Sequence, residues 1–461
     1  MRKRLFTTLL LTVIFILNSC ASTGVSLLSF MPEDSEAVID FEGFEFVLLT
    51  TSGAEESFDP SLSKDTGGAL TVGQDALIAR LNDIEETYNC TFTVRGCGRA
   101  KYNMTTYYVP QIVAGTADYS FITTNAIDTI ILYNGNFITP WNHTSLDLTD
   151  HEKYGNEIYL TSASFKGDYY GIMPASHGVG NSFVGGLIVN NEILRDYINI
   201  NVHELKENKQ WTFDRFKEIL EACTVNVGSS VDIIPLTNLD NRVLVTTSVL
   251  ANGGHVVEYN ETTGKYSYGL TSPKAVKGIE FARSLYDENL CSHEVENGMN
   301  FWEEENSPFC LTNSGLLSKA MYVFEDIDFI SFPYGPDVEY GSVCSTYIQR
   351  DTGYIVCPIS ADAELSADFV SIWFEEIPDY TKEAIIDEFK TTMFFNEKSM
   401  EEYFYMSENH QYNYYAQFGD LHEKFDEFLA SLSNRTKTIK EQLDTTTSMF
   451  ENQINKIFND D

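Results

Sequence analysis

Three side chains with hydrogen-bonding groups, Thr123-Thr124-Asn125, follow the β-rich run Tyr119 to Ile122. Thr50-Thr51-Ser52-Gly53 repeat the pattern after the strand-like Phe44 to Leu49. Hydroxyls and amides donate and accept hydrogen bonds, so such clusters suit a neutral polar ligand. In an open α/β sheet, ligands bind in the crevice outside the carboxyl ends of the strands, in enzymes and binding proteins alike. The sequence contains no Gly-x-Ser-x-Gly, no Walker A lysine loop and no His-Glu-x-x-His. The eight histidines show no metal-ligand spacing beyond one chance pairing, so no metal or other cofactor is expected. Sixty-eight carboxylates always permit a glycosidase pair, and the sequence singles none out.

The elements that must hold these clusters can be read from periodicity. Val109, Ile112 and Val113 form a helical stripe, and Gly115 supplies its C-cap before the strand. Leu77, Ile78, Leu81, Ile84 and Tyr88 recur at spacings of three and four, and Cys90 to Val94 is a second strand. The order βαβαβ implies a doubly wound parallel sheet. Further along, Lys166-Gly167-Asp168 reads as a hairpin turn. Thr212 can N-cap a helix whose buried stripe is Phe213, Phe216, Ile219 and Leu220. Pro273 opens another helix at its first position. Trp211 and Trp373 sit where packing is expected, whereas Trp141 and Trp302 are open to packing or ligand contact.

At the start, Arg2, Lys3 and Arg4 precede the mostly apolar Leu5 to Leu17, which is short for a membrane span. Residues 21–40 form a polar tether. The remaining length fits two lobes with their own cores. The chain carries 30 basic and 68 acidic residues; without the three leading cations it holds 27 against 68, a formal −41. Such acidity argues against nucleic-acid binding and against adsorption to anionic lipid. Seven cysteines follow Cys20, an odd number, and the nearest pair, Cys90 and Cys97, fits either a disulfide or two core positions.

Several segments together resemble the bacterial extracellular solute-binding proteins of family 1. Gly115-Thr116-Ala117-Asp118 is similar to its Gly-x-x-Asp signature, and Gly167 to Pro174 to its Gly-x-x-Tyr-Gly-x-Pro. Val189-Asn190 stands where the family has Tyr-Asn. Trp211 to Phe216, Ser248 to Gly254, Pro308 to Gly315 and Phe329 to Pro336 resemble later landmarks in the same order. Leu17-Asn18-Ser19-Cys20 resembles a lipobox, which implies cleavage before Cys20 and a lipid on its sulfur.

The resemblance implies an α/β, two-lobed periplasmic-binding-protein-like fold of the class II type, with parallel-rich sheets, flanking helices and a hinge cleft. Residues 1–20 would be signal peptide, 41–175 with 326–377 the first lobe, and 176–325 with 378–461 the second. Ligand contacts would come from Ser52, Thr124, Asn125, Ser176, His177, Asn313, Trp302 and Tyr347. Arg350 is the only fixed cation in those loops, so a neutral sugar or oligosaccharide fits better than a peptide or an anion. The expected role is that of a monomeric, lipid-anchored binding component of an ABC importer, extracytoplasmic and non-enzymatic, that meets permease subunits. A secreted glycan-acting lipoprotein enzyme and a ligand-sensing subunit of a signalling complex are the alternatives.

Overall fold

The structure is a computed structural model. It describes residues 39–62, 70–98, 104–177, 183–227, 230–238, 240–260, 262–292, 307–324, 326–348, 352–378, 380–392, 396–411, 418–432 and 436–459. Cys20, Trp302 and Arg350 lie outside these residues.

Ten strands build two main sheets: β1 (Phe44–Thr50), β2 (Cys90–Gly96), β3 (Phe121–Thr124), β4 (Ile138–Thr139), β5 (Phe183–Asn190), β6 (Leu236–Asn238), β7 (Phe309–Asn313), β8 (Ile327–Ser331), β9 (Tyr347–Ile348) and β10 (Tyr354–Pro358). The helices used below are α1 (Val72–Thr87), α2 (Thr105–Ala114), α3 (Ala126–Asn134), α4 (Phe213–Cys223), α5 (Asn241–Ala251), α6 (Pro273–Asp287), α7 (Ser314–Val323), α8 (Ala363–Trp373), α9 (Glu397–Asn409), α10 (His422–Ser431) and α11 (Ile439–Ile454).

The first sheet has the order β2-β1-β3-β10-β4. β1 pairs in parallel with β2 and β3, while β10 runs antiparallel to β3 and β4. Phe46 and Leu48 enter one buried cluster with Phe92, Trp141 and Trp373, and Val47 and Leu49 enter another with Tyr108 and Ile130. This period of two puts a core on each face of the sheet. The helices between the strands carry the expected signals. Thr71 and Gln74 close a capping box on α1, and Gly115 ends α2 at φ +66°.

The second sheet has the order β6-β7-β5-β8, with β9 also on β5. β7, β8 and β9 all run antiparallel to β5. Leu187 and Val189 face a cluster with Trp211, Phe216 and Leu311, while Phe183 and Ile188 face another with Phe329, Tyr403 and Met406. Thr212 caps α4 by accepting from the Arg215 N–H, and Ser272 caps α6.

Some local expectations shift. Thr123 and Thr124 are strand residues, paired with Ile355 and Tyr354, and Asn125 directly caps α3 with no loop between. Residues 327–331 were expected to open the return to the first lobe at 326, yet β8 pairs with β5 along its length. The chain re-enters the first sheet later, between β9 and β10. The described cysteines are buried, Cys90 and Cys97 included, and the Cys97 sulfur lies 3.3 Å from that of Met104.

Candidate ligand-binding cleft

The cleft is placed by strand ends. β1 ends at Thr50 and β3 at Thr124, and Tyr354, the first residue of β10, pairs with Thr124. The chain therefore returns to the first sheet at that end. In the second sheet β5 begins at Phe183, and Asn313 and Tyr347 both pair with Val184. That end also receives the crossing chain. The crossing segments thus join the Thr50–Thr124 end of one sheet to the Phe183–Asn313 end of the other, and the carboxyl ends of β1 and β3 are where an α/β sheet places a ligand crevice.

Each sequence-predicted contact among the described residues also has a role in the fold. Ser52 is exposed and accepts from the Gly98 N–H at 2.8 Å. Thr123 donates to Thr50 Oγ1 at 2.8 Å, joining β3 to β1 beneath the surface. Thr124 and Thr129 hydroxyls are 2.7 Å apart. Asn125 is 6% exposed, and its Oδ1 accepts from the Asp128 N–H at 2.8 Å, capping α3. Asn313 caps α7 in the same way through the Leu316 N–H at 3.1 Å. Ser314, beside it, accepts from the Phe183 N–H at 3.2 Å, tying α7 to the first residue of β5. Tyr347, 3% exposed, packs with Val184 and Leu250 rather than offering an open face.

Ser176 and His177 stand on the first crossing and hold it to the segment after α8. Ser176 donates to the Phe374 carbonyl at 2.5 Å, and His177 Nε2 lies 3.2 Å from the Glu375 carbonyl. The carbonyl can only accept, so Nε2 carries the proton. Burial pushes His177 down to about 4, against the opposing pull of that carbonyl. The neighbouring side chains face different spaces. His177 lines a cavity of about 200 Å³ with Phe58, Gln74, Trp373 and Tyr380. Ser176 lines one of about 460 Å³ with Tyr159, Phe374, Lys382 and Phe404. Neither is lined by Thr124, Asn125, Asn313 or Tyr347. The strand-end geometry, not cavity size, therefore defines the candidate site.

Polar groups that the sequence reading missed lie close by. Asp128, in the first turn of α3, is buried with Oδ2 unpaired among the described residues, and burial raises it to about 7 while Thr105 opposes the rise. Ser345 and Thr352, flanking the second crossing, are buried hydroxyls without a hydrogen-bond partner among the described residues. A carboxylate on a helical stripe and two hydroxyls in a loop give no sequence signal of burial. Among the described residues no group of three or more His, Cys, Asp or Glu side chains could hold a metal ion.

No protein-family profile matches the sequence, and no curated protein does. Solved structures match throughout. A cyclic α-maltosyl-1,6-maltose binding protein from Arthrobacter globiformis superposes with a TM-score of 0.64 at 11% identity, over 90% of this chain and 100% of that one. The chain has the two-lobed solute-binding-protein fold. A cyclo/maltodextrin-binding protein solved with maltotetraose shares this fold, with a TM-score of 0.61 at 11% identity over 92% and 100% of the two chains. UgpB from Mycobacterium tuberculosis, solved with glycerophosphocholine, gives 0.60 at 12% over 90% and 99%. Thr124 and Asn125 stand at the end of β3, Ser52 just beyond β1, and Asn313 and Tyr347 opposite Val184 at the start of β5. Among the described residues no helix is long and apolar enough to cross a membrane.

Proposed function

We propose that this protein captures a neutral carbohydrate outside the cytoplasm and delivers it to the permease of an ABC importer. The observation that carries this reading is the pairing of two strand-end surfaces across the crossing segments. The described residues of the first bear Ser52, Thr124 and Asn125; those of the second bear Asn313 and Tyr347. Ser52 and Asn313, the more exposed of the five, offer a hydroxyl and an amide that suit sugar hydroxyls, while a fixed cation and anion, which a peptide's termini would need, are missing from those five residues. The fold neighbours support the class. Their bound molecules include maltotetraose, an acarbose homologue and β-1,6-galactobiose. Glycerophosphocholine in another neighbour keeps a zwitterionic glycerol phosphodiester among the competitors to be assayed. Ligand would bind between open lobes, which then close by rotation at the crossings, and the closed form would dock on the permease as a monomer.

Anchoring through lipid on Cys20 completes the proposal, since the protein's acidity gives it no other hold on an anionic membrane. Cys20→Ala is expected to move the protein from the membrane to the soluble fraction; equal membrane retention and processing would refute anchoring. A thermal-shift screen with neutral oligosaccharides, glycerol phosphodiesters and peptides tests the ligand class, and a rise in melting temperature confined to sugars is expected. Steady hydrolysis of any stabilising glycan by the pure protein would replace this reading with the glycan-acting enzyme.

A further inference from the structure

The end of the described chain touches both lobes. Asn455–Asn459 continues α11 as a π-helical turn, a form enriched at functional sites. Ile457 is buried in the first-lobe cluster that includes Val47, Tyr108 and Ile130. Phe458 packs against that cluster and also against the main cluster of the second lobe. Its ring centroid is 4.8 Å from that of Tyr266. Asn459 fixes the turn to the second lobe, accepting from the Tyr266 N–H at 3.0 Å and donating to its carbonyl at 2.8 Å.

A second contact reinforces the first. Gln453 donates to the Phe418 carbonyl at 2.8 Å, joining α11 to the 3-10 turn Gly419–Leu421. That turn lies beside α3 of the first lobe. α3 starts at Asn125, on the cleft end of β3. A lobe rotation that parts Gly419–Leu421 from α3 would draw Ile457 or Phe458 out of an apolar contact.

We propose that Ile457 and Phe458 form a clasp between the lobes that holds the cleft toward its closed arrangement. Apolar surface exposed by opening makes the open form less favourable. A ligand that requires the closed form then binds with an apparent affinity scaled by the closed fraction. The clasp therefore sets both the resting shape and the apparent affinity. The affinity arm rests on the proposed binding function; the shape arm does not.

Small-angle scattering of the ligand-free protein tests it, comparing the full chain with a chain ending at Ile454 and with Phe458→Ala. The expected result is a larger radius of gyration in both variants, most in the truncation, with an unchanged circular dichroism spectrum. Once a sugar is identified by the thermal-shift screen, its affinity for the truncated chain is expected to fall about 3–10-fold, in line with a smaller closed fraction. Wider particles without sugar binding would keep the clasp and overturn the binding function. Sugar binding with unchanged scattering in folded variants would overturn the clasp. Should the truncation fail to fold, Phe458→Ala, which retains Ile457 and Asn459, decides the matter alone.

Discussion

Three strands of the first sheet are neighbours in the chain and only β10 joins it from afar, whereas the second is gathered around β5 from strands far apart. β1, β2 and β3 follow one another with a helix between each pair, and all are parallel. β5 instead gathers β7, β8 and β9, which begin more than a hundred residues later, all antiparallel. The contrast teaches that a strand's existence is local information while its partner is not. Hydrophobic period locates β8, but its apolar residues Ile327, Phe329 and Ile330 would suit either sheet. The same contrast appears in the two indole N–H groups. Trp211 donates to the Ser331 carbonyl of β8 at 2.8 Å, stitching the second lobe. Trp373 is as deeply buried in the first lobe, among Phe58, Phe92 and Phe369, with Nε1 unpaired among the described residues.

The largest effect expected from this contrast comes from those tryptophans. Each, changed to Ala, should cost about 3–5 kcal/mol, the range for deleting a buried aromatic. Changed to Phe they should part company. Trp211→Phe also removes a hydrogen bond and strands a carbonyl, an additional ~1–3 kcal/mol that Trp373→Phe does not incur. Denaturant midpoints that fall equally in the two Phe variants would show that the stitch contributes nothing.

A smaller effect separates fold from site in the polar ends. Asn125→Ala removes the α3 cap and should cost about 0.5–2 kcal/mol of stability, and Asn125→Asp should restore most of it. Asn313→Ala is expected toward the low end of that range, because Asn313 is only half-buried. Full stability in Asn125→Ala would mean that the cap is idle and that its side chain is held for ligand alone.

The smallest effect is a pH dependence at the crossings. His177 and His410 are each held near 4, chiefly by burial, and His410 sits edge-on to Tyr159 of the first lobe at 5.0 Å. A histidine whose folded pKa lies below its unfolded value of about 6.5 favours folding while neutral. Their contribution should be complete above pH 6.5 and lost progressively as pH falls from there to 4. Replacing His410 with Phe should flatten that part of the stability profile. An unchanged slope in His410→Phe and His177→Gln would assign the acid sensitivity to carboxylates instead.

Much of the first lobe was legible because its signals are local. The stripe of α1, the Gly115 cap and the buried run of β1 each follow from residues within one element. The site was legible as a place but not as a set of free groups. Thr123-Thr124-Asn125 marks the end of β3 correctly, yet the same residues bond Thr50, Thr129 and the α3 N-terminus. Hydroxyls and amides that suit a sugar are also those that cap helices and join strands. Sequence cannot divide them between the two tasks. Tyr347 shows the limit from the apolar side, since a tyrosine in a polar loop turns out to be packed against Val184 and Leu250. Burial of Asp128 was invisible for a related reason: its depth depends on α2 and α3 meeting, not on its neighbours in the chain.

The central claim is that a neutral sugar binds between the strand ends and leaves unchanged. Calorimetric titration of the pure protein with a panel of neutral oligosaccharides, followed by chromatography of the recovered ligand, tests it most directly. The account predicts saturable heat for at least one sugar, about micromolar affinity or tighter as is ordinary for a specific pocket, and intact ligand afterwards. Saturable binding of a peptide or an inorganic anion with silence from every sugar, or recovery of cleaved glycan, would contradict it.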